Sequence, residues 1–392
     1  MRAWLCLNTL MSLSLYIHFP FCVRKCSYCD FNSVAASAVS HREYVSAVLR
    51  EMELRAAGLQ EPAPAAATLF LGGGTPSLME PALAARLVDA ARTRYGLRHD
   101  AEVTIEANPG TVNVERLREL RSAGINRLSL GIQSFDDRHL ARLGRVHTAD
   151  EARAAFAAAR TAGFDNIGID LIHSLPDQTV AQWHADLAAA VHLRPEHVSA
   201  YALTLEEGTP LHALADRGQL TLPSEDDACR MFVETALILG QAGYEQYEIS
   251  NFALQGRRSA HNQVYWRRGS YLDFGAGAHS FSAGNGFGCR WGNVGDMATY
   301  VEQARTGLFV ECDRSLLDRR EAMAEWMFLG LRMLEGVDEA AFAKQFGVQL
   351  REVYGAELPR LLQGGMLERE DGRLRLTPRG ILLYNGVVVS FL

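Results

Sequence analysis

The spacing of hydrophobic positions changes in a regular alternation along the first half of this chain. Apolar runs of strand length occupy residues 14–19, 67–71, 102–106, 126–131, 166–172 and 196–203. Stretches with apolar residues three or four positions apart lie between them, at 41–58, 80–95, 113–123, 149–162 and 178–192. Strands that alternate with helices form parallel sheets covered by those helices. The pattern predicts an α/β core over 14–207 with six strands, fewer than a closed barrel needs.

The rest of the chain predicts three further regions. Residues 1–13 form a mildly apolar N-terminal extension, in which Met11 is an alternative start to Met1. Residues 208–314 are rich in glycine and aromatic residues, which predicts a cover over the open barrel. Residues 315–392 carry helical patterns at 318–334, 338–345 and 349–363, followed by Asp371-Gly372, a pair that favours a tight hairpin turn. Helices followed by a hairpin predict a winged-helix-like C-terminal domain.

Composition narrows the range of partners. The formal net charge is -7, which gives no general attraction to polyanions, and the arginines of the C-terminal region are interspersed with acids. No apolar run approaches the eighteen or so residues that span a bilayer. The seven cysteines are an odd number, which disfavours a disulfide framework. We therefore expect a cytoplasmic protein with no nucleic-acid partner and no integral membrane segment.

Three clustered cysteines carry the strongest chemical signal. Cys22, Cys26 and Cys29 form a C-x3-C-x2-C array directly after the first predicted strand. Three such thiolates can bind three irons of a [4Fe-4S] cluster and leave the fourth iron open to a small molecule. A structural zinc site is the alternative, but zinc takes four ligands and only His18 or His41 is near. The spacing favours the cluster.

Polar or glycine residues end or follow several of the predicted strands. They are Gly72-Gly73-Gly74-Thr75-Pro76, Glu106, Gln133, Arg145 and Asp170. Ligands of parallel sheets collect at the carboxyl ends of the strands. A glycine loop lets a ligand approach the backbone, and a guanidinium pairs with a carboxylate in two parallel hydrogen bonds. Taken singly, each is also explained as a turn, a cap or a surface residue.

Together these motifs closely resemble the radical S-adenosylmethionine (SAM) superfamily. The resemblance rests on the cysteine triad with Tyr28 before its last member, the glycine loop, and the strand–helix alternation. It implies an open, six-stranded (β/α) TIM-like barrel, a [4Fe-4S] cluster, bound SAM and an electron donor. Carried over residue by residue, it implies SAM contacts at Tyr16, Tyr28, Gly73, Gly74, Thr75, Glu106, Gln133, Arg145, Asp170 and Ala202.

Within this superfamily the chain resembles the HemN/HemW family, in which two functions compete. HemN-type oxygen-independent coproporphyrinogen III oxidases, enzymes of porphyrin biosynthesis, have a fourth cysteine two residues beyond the triad. Phe31 occupies that position here. The local sequence instead resembles the HemW branch, whose members are haem chaperones. That implies haem as cargo and apo-haemoproteins, respiratory ones among them, as recipients; the oxidase is the alternative, and whether the chain is an enzyme stays open.

A second motif concerns haem. His261-Asn262-Gln263-Val264-Tyr265-Trp266 matches the H-N-x-x-Y-W motif associated with haem in HemW-like proteins. The resemblance implies haem contacts at His261, Tyr265 and Trp266; without it, the same residues are explained as an aromatic corner of the core. The iron ligand stays open, with His279 and Cys289 as alternatives. The sequence also leaves the oligomeric state open, a homodimer included.

Overall fold

The computed structural model describes residues 13–59, 65–284, 286–308 and 310–392. Except for Leu13, the expected N-terminal extension lies outside the described residues, as does the choice between Met1 and Met11. In the described part of the chain, no helix is both long and apolar enough to cross a membrane.

The six predicted strands are present and run parallel in sequence order. They are β1 (Leu13–Phe19), β2 (Ala66–Gly73), β3 (Glu102–Ala107), β4 (Arg127–Gln133), β5 (Ile167–His173) and β6 (His197–Ala202). The connecting helices are α1 (His41–Ala56), α2 (Pro81–Tyr95), α3 (Val114–Ser122), α4 (Asp137–Leu143), α5 (Ala149–Thr161) and α6 (Val180–Leu193). The prediction of an α/β, TIM-like partial barrel is confirmed.

Along each strand, side chains point alternately into the hydrophobic core and into the barrel interior. In β1, Leu15 and Ile17 are buried in the main hydrophobic core, whereas Tyr16 between them lines the barrel interior. Successive side chains of a strand point to opposite faces, so one apolar set packs on the helices and the other set is free to be polar. The core thereby fixes the strands, and their inward positions are left for chemistry.

The sheet is wider than the six predicted strands. Further strands are β7 (Glu245–Glu248), β8 (Asn251–Ala253), β9 (Tyr271–Phe274), β10 (His279–Ser282), β11 (Cys289–Asn293) and β12 (Glu311–Leu316). The order is β12-β11-β10-β9-β1-β2-β3-β4-β5-β6-β8-β7, so β12 and β7 are its two edges and the sheet does not close. Much of the region predicted as a cover therefore extends the sheet at both sides. Except for β12, these strands have three to five residues, which is too short to show a period.

The same region contributes helices α7 (Pro210–Asp216), α8 (Glu225–Gln241), α9 (Ala260–Trp266) and α10 (Met297–Thr306). Of these, α9 carries the predicted haem motif. Its N-terminus is capped by Ser259 and by the Glu102 carboxylate at the start of β3, which accepts hydrogen bonds from the amides of Ala260 (3.1 Å) and His261 (3.0 Å). The cap fixes α9 against the barrel.

The C-terminal region has its own core and sheet. It comprises α11 (Arg319–Gly330), β13 (Val337–Asp338), α12 (Glu339–Phe346), α13 (Leu350–Val353), α14 (Glu357–Gln363), β14 (Leu367–Glu370), β15 (Arg373–Leu376), α15 (Pro378–Leu382) and α16 (Tyr384–Val388). The predicted hairpin at Asp371-Gly372 joins β14 to β15. The helix predicted over 349–363 is two helices, because the chain breaks at Tyr354 to Ala356, around Gly355. Arg332 links the region to the barrel sheet by an ion pair with buried Glu248 (2.8 Å).

Candidate functional site

One cavity of 570 Å³ opens at the carboxyl ends of the parallel strands. Each of the six strands β1 to β6 contributes at least one residue to its lining, and α9 contributes His261, Asn262 and Tyr265. Pockets of this size are typical of small-molecule and cofactor sites. The fold thus places a ligand-sized space where βα architecture places its ligands.

The three cysteines lie on the loop after β1, at the edge of this cavity. Backbone hydrogen bonds hold the loop: the amide of Cys22 donates to Val34 O (2.9 Å), and the amide of Ser27 donates to Leu143 O at the end of α4 (3.0 Å). The amide of Leu211 in turn donates to Ser27 O (2.9 Å). Elements distant in sequence therefore fix the cysteine loop to the barrel.

The surroundings of the thiols fit an iron–sulfur cluster. The Thr75 hydroxyl lies 3.7 Å from Cys22 Sγ, and Arg145 Nη1 donates to Cys26 Sγ at 3.4 Å. Burial raises the pKa of Cys29, with the neighbouring thiols adding to the rise. A [4Fe-4S] cluster takes each thiolate at a different iron, and donors to sulfur tune it, so this donor set suits it.

The glycine loop comes close to the cysteine loop. The amides of Gly74 and Thr75 donate to the carbonyls of Phe19 and Phe21, each at 2.8 Å. Gly73 has φ +111°, and a Cβ atom there would lie 2.7 Å from the His18 ring; at Gly74 it would lie 2.6 Å from Phe21 O. Only glycine allows this backbone course and this closeness. The loop therefore offers bare backbone to a ligand beside the cysteines.

Two buried carboxyl groups face the cavity from neighbouring strands. Glu106 accepts a hydrogen bond from the Gly73 amide (3.0 Å), and Asp170 accepts one from the Ser129 hydroxyl (3.1 Å). Burial, with the nearby Asp170, raises the pKa of Glu106 to about 8, and burial likewise raises the pKa of Asp170. Each carboxyl therefore has acceptor capacity that a ligand's hydroxyl groups could use.

Arg145 spans the cavity between the cysteine loop and the strand ends. Besides its contact with Cys26, its Nη2 donates to Gly131 O (2.7 Å) and to the Asn108 side chain. Its Nε is buried without a partner among the described residues, which leaves a donor for a ligand. Gln133, at the end of β4, has φ 69°, a left-handed conformation that costs free energy in a non-glycine residue. Such strain is common at binding sites.

All ten residues predicted to contact SAM line this one cavity, together with the three cysteines. Tyr28 and Ala202, which lie on the cysteine loop and at the end of β6, are included. Phe31 lines the cavity as well, and its side chain is 59 % exposed. The residue roles themselves stay predictions; their convergence on one cavity is an observation.

The haem motif divides between the cavity and the core. His261 is 1 % exposed; its Nδ1 is 2.8 Å from Thr68 Oγ1 and its Nε2 is 3.0 Å from the Tyr265 hydroxyl. Burial lowers the pKa of His261 to about 3, so its imidazole is neutral. Trp266 does not line the cavity and stacks under Arg332, whose guanidinium is 4.6 Å from the ring centroid. Neither His279 nor Cys289 lines the cavity.

Several cavity residues escaped the sequence analysis. They are Asn108, Arg127, Ser129, His197 and Ser199. Most of them alternate with apolar residues on the inward faces of β4 and β6. Polar residues at every second position of an otherwise apolar strand predict side chains that line the barrel interior. A search of strand ends alone overlooks this deeper layer.

Two protein families match this chain, one in the barrel and one in the C-terminal region. Residues 16–189 match the radical SAM superfamily, and residues 317–383 match the HemN C-terminal domain. The second match covers most of the C-terminal region that carries its own hydrophobic core.

Curated relatives cover nearly the whole chain. The haem chaperone HemW of Bacillus subtilis is 36% identical over 380 residues, covering 97% of this chain and 99% of its own. HemW of Escherichia coli is 36% identical over 382 residues, with 97% and 98% covered. A mouse protein named radical S-adenosyl methionine domain-containing protein 1, mitochondrial, is 36% identical, with 97% and 87% covered.

A solved structure is similar over the same extent. It is the coproporphyrinogen III oxidase HemN of Escherichia coli, described as a radical SAM enzyme. The TM-score is 0.81 at 25% identity, with 97% of this chain and 90% of the oxidase covered.

Proposed function

Because this chain belongs to the HemW family of the radical SAM superfamily, we propose that it is a haem chaperone that binds a [4Fe-4S] cluster and SAM. The observation that carries the proposal is the single cavity lined by the three cysteines and by all ten expected SAM contacts. Its haem would pass to apo-haemoproteins, the recipients that the HemW name suggests.

The residues of the cavity suit distinct parts of SAM. Cys22, Cys26 and Cys29 hold the cluster, and the Gly73-Gly74 backbone faces the methionine amino group. Arg145, with its free Nε, pairs with the methionine carboxylate. Glu106 and Asp170 accept hydrogen bonds from the ribose hydroxyls. When bound, the cluster and SAM supply one-electron chemistry; this chain binds, orients and shields them.

The haem is cargo, and His261 is the proposed iron ligand. Its imidazole is neutral, as iron ligation requires, and Nδ1 is already oriented by Thr68. Iron would then replace the Tyr265 hydroxyl at Nε2. Trp266 supports α9 from the core side. Haem bound there would share the cavity with SAM.

The cluster also bears on where the protein works. Thiolate ligands must stay reduced, which favours the cytoplasm, where thiols persist. An electron donor of that compartment would reduce the cluster. A homodimer stays a prediction.

The similarity to HemN makes coproporphyrinogen III oxidase the second candidate function. Against it stands Phe31, at the place where HemN-type oxidases carry a fourth cysteine. An exposed phenyl ring on the cysteine loop cannot act as a ligand or as a thiol.

The two functions are separated by one anaerobic experiment. The protein is reconstituted with iron and sulfide, given coproporphyrinogen III, SAM and a reductant, and assayed for protoporphyrinogen; haem is titrated into a parallel sample. The proposal predicts stoichiometric haem binding and no porphyrinogen turnover. Catalytic formation of protoporphyrinogen would assign the oxidase instead, and a sample that binds no haem would contradict the chaperone.

A further inference from the structure

A charged residue lies beneath the proposed SAM contacts, at the start of β4. Arg127 is 2 % exposed and lines the bottom of the cavity. Its Nε has no hydrogen-bond partner among the described residues. The carboxylate paired with it, Glu102, is 3.9 Å away and already accepts the two α9 amide hydrogen bonds. Burying a guanidinium with so few hydrogen bonds and ion pairs costs free energy of folding. We therefore expect Arg127 to have a function at this position.

Strand register puts Arg127 one layer below Glu106 and two layers below Asp170. Thr104 pairs with Arg127, Glu106 with Ser129, and Gly131 with Asp170. Residues two apart on one strand share a face, so Arg127 points into the same interior as Glu106 and Asp170. Gly168 on β5 leaves room for it, since a Cβ atom there would lie 3.2 Å from Arg127 Nη2.

We propose that Arg127 is a positioning residue of the SAM site, whose buried positive charge favours the anionic form of Glu106 and Asp170, the form that accepts hydrogen bonds from the ribose. This inference rests on the proposed SAM site. Arg127 acts through the carboxylates and does not itself touch the reacting atoms.

The electrostatics of the interior support this role. Burial is the main cause that raises the pKa of both Glu106 and Asp170, and Arg127 opposes that rise in each. Burial and then Arg127 also lower the pKa of His197 and of His261. The histidines next to Arg127 are therefore neutral, and its charge acts chiefly on the carboxyl groups.

Other titratable groups face the same interior from the surrounding elements. They are Tyr16 (β1), Glu102 (β3), Arg145 (after α4), Tyr201 (β6), Tyr247 (β7), Tyr265 (α9) and Asp273 (β9). Burial raises the pKa of the four tyrosines, which keeps them neutral, and burial also raises the pKa of Asp273. Besides Arg127, Arg145 is the cation that lowers the pKa of Asp170. Its contact with Cys26 ties Arg145 to the cluster loop, so Arg127 is the cation assigned to the ribose end.

The test is the pH dependence of SAM binding to the anaerobically reconstituted full chain, measured by equilibrium dialysis with labelled SAM. In the wild type, affinity should rise with pH up to about 9, because the ligand-free Glu106 titrates near pH 8. In Arg127→Gln, affinity near pH 7 should fall about tenfold or more, since one unit of pKa corresponds to tenfold. That loss should shrink as the pH rises and ionises the carboxyl groups. Arg127→Lys, which keeps the charge, should retain the wild-type profile.

Controls distinguish this role from a structural one. Arg268, buried and paired with Glu325 at 2.9 Å, does not line the cavity, so Arg268→Gln should leave the pH profile unchanged. A loss in Arg127→Gln that is equal at every pH, with cluster absorbance intact, would overturn the proposal. If Arg127→Gln does not fold, a lysine variant that folds but has lost the wild-type profile would do the same. A wild type that binds no SAM would instead contradict the proposed function.

Discussion

The cysteine side of the cavity and the α9 side hold buried polar groups in opposite ways. Around the cysteines, Arg145 keeps a buried Nε without a partner among the described residues, and glycine backbone lies open to the cavity. On α9, both ring nitrogens of His261 are bonded to protein hydroxyls. Buried polar groups are rarely left unpaired. The cysteine side therefore has hydrogen-bonding groups that are free to bind a ligand. On the α9 side, a ligand can bind His261 only by replacing one of its hydrogen bonds.

The largest expected effect is loss of the cluster on the cysteine side of the cavity. Cys22→Ala removes one of three thiolates, so the reconstituted protein should lose its cluster absorbance and its bound iron almost completely. Cys229→Ala, an exposed cysteine of α8, is the matched control and should retain both. Full iron content in Cys22→Ala would exclude this thiol as a cluster ligand.

On the α9 side, two variants should move haem affinity in opposite directions. His261→Ala removes the proposed iron ligand together with its hydrogen bonds to Thr68 and Tyr265, so haem affinity should fall at least tenfold and the free energy of unfolding by about 2 kcal/mol. Tyr265→Phe frees His261 Nε2 and should strengthen haem binding. Haem titration followed by absorbance measures both.

Cluster content serves as the control for these two variants, because neither residue belongs to the cysteine loop. If His261→Ala binds haem with unchanged affinity and spectrum, α9 is a packing element and the iron ligand lies elsewhere.

A smaller effect follows from the two sides sharing one cavity. His261 and Tyr265 line the same space as the SAM contacts, so SAM should weaken haem binding several-fold. The measurement is haem titration with and without saturating SAM. Independent binding of the two would place haem outside this cavity.

The smallest expected effect concerns stability and pH. Because burial raises the pKa of Glu106 to about 8, its folded state holds a proton more tightly than the unfolded chain. The protonated Glu106 carboxyl group therefore contributes to the free energy of unfolding at low pH, and this contribution is lost as pH rises through about 8. Glu106→Gln cannot titrate yet can still accept from the Gly73 amide. Between about pH 6 and pH 8 the free energy of unfolding of Glu106→Gln should increase relative to that of the wild type by on the order of 1–2 kcal/mol. Denaturant unfolding without SAM measures this difference.

Asp100→Asn, an exposed acid before β3, is the control and should show no such change. An equal difference between Glu106→Gln and wild type at both pH values would mean that Glu106 is ionised throughout.

The parallel strands were predictable because long apolar runs such as that of β1 leave little choice of structure. The convergence of the cysteine loop and the strand-end residues on one cavity was predictable because both are marked by local motifs, as at Cys22 and Gly73. The hydrogen bonds of His261 were not, since Thr68 is distant in sequence. Arg127 was missed because its role depends on register between strands, which no local pattern encodes.

The most direct test of the account is the electron paramagnetic resonance spectrum of the reconstituted, anaerobically reduced protein before and after SAM is added. A [4Fe-4S]⁺ signal should appear and should change shape on addition of SAM, because SAM would bind next to the open iron in the cavity. Arg145→Gln should need much more SAM to reach the same change. A cluster signal that SAM leaves unaltered at saturating concentration would contradict the assignment of this cavity.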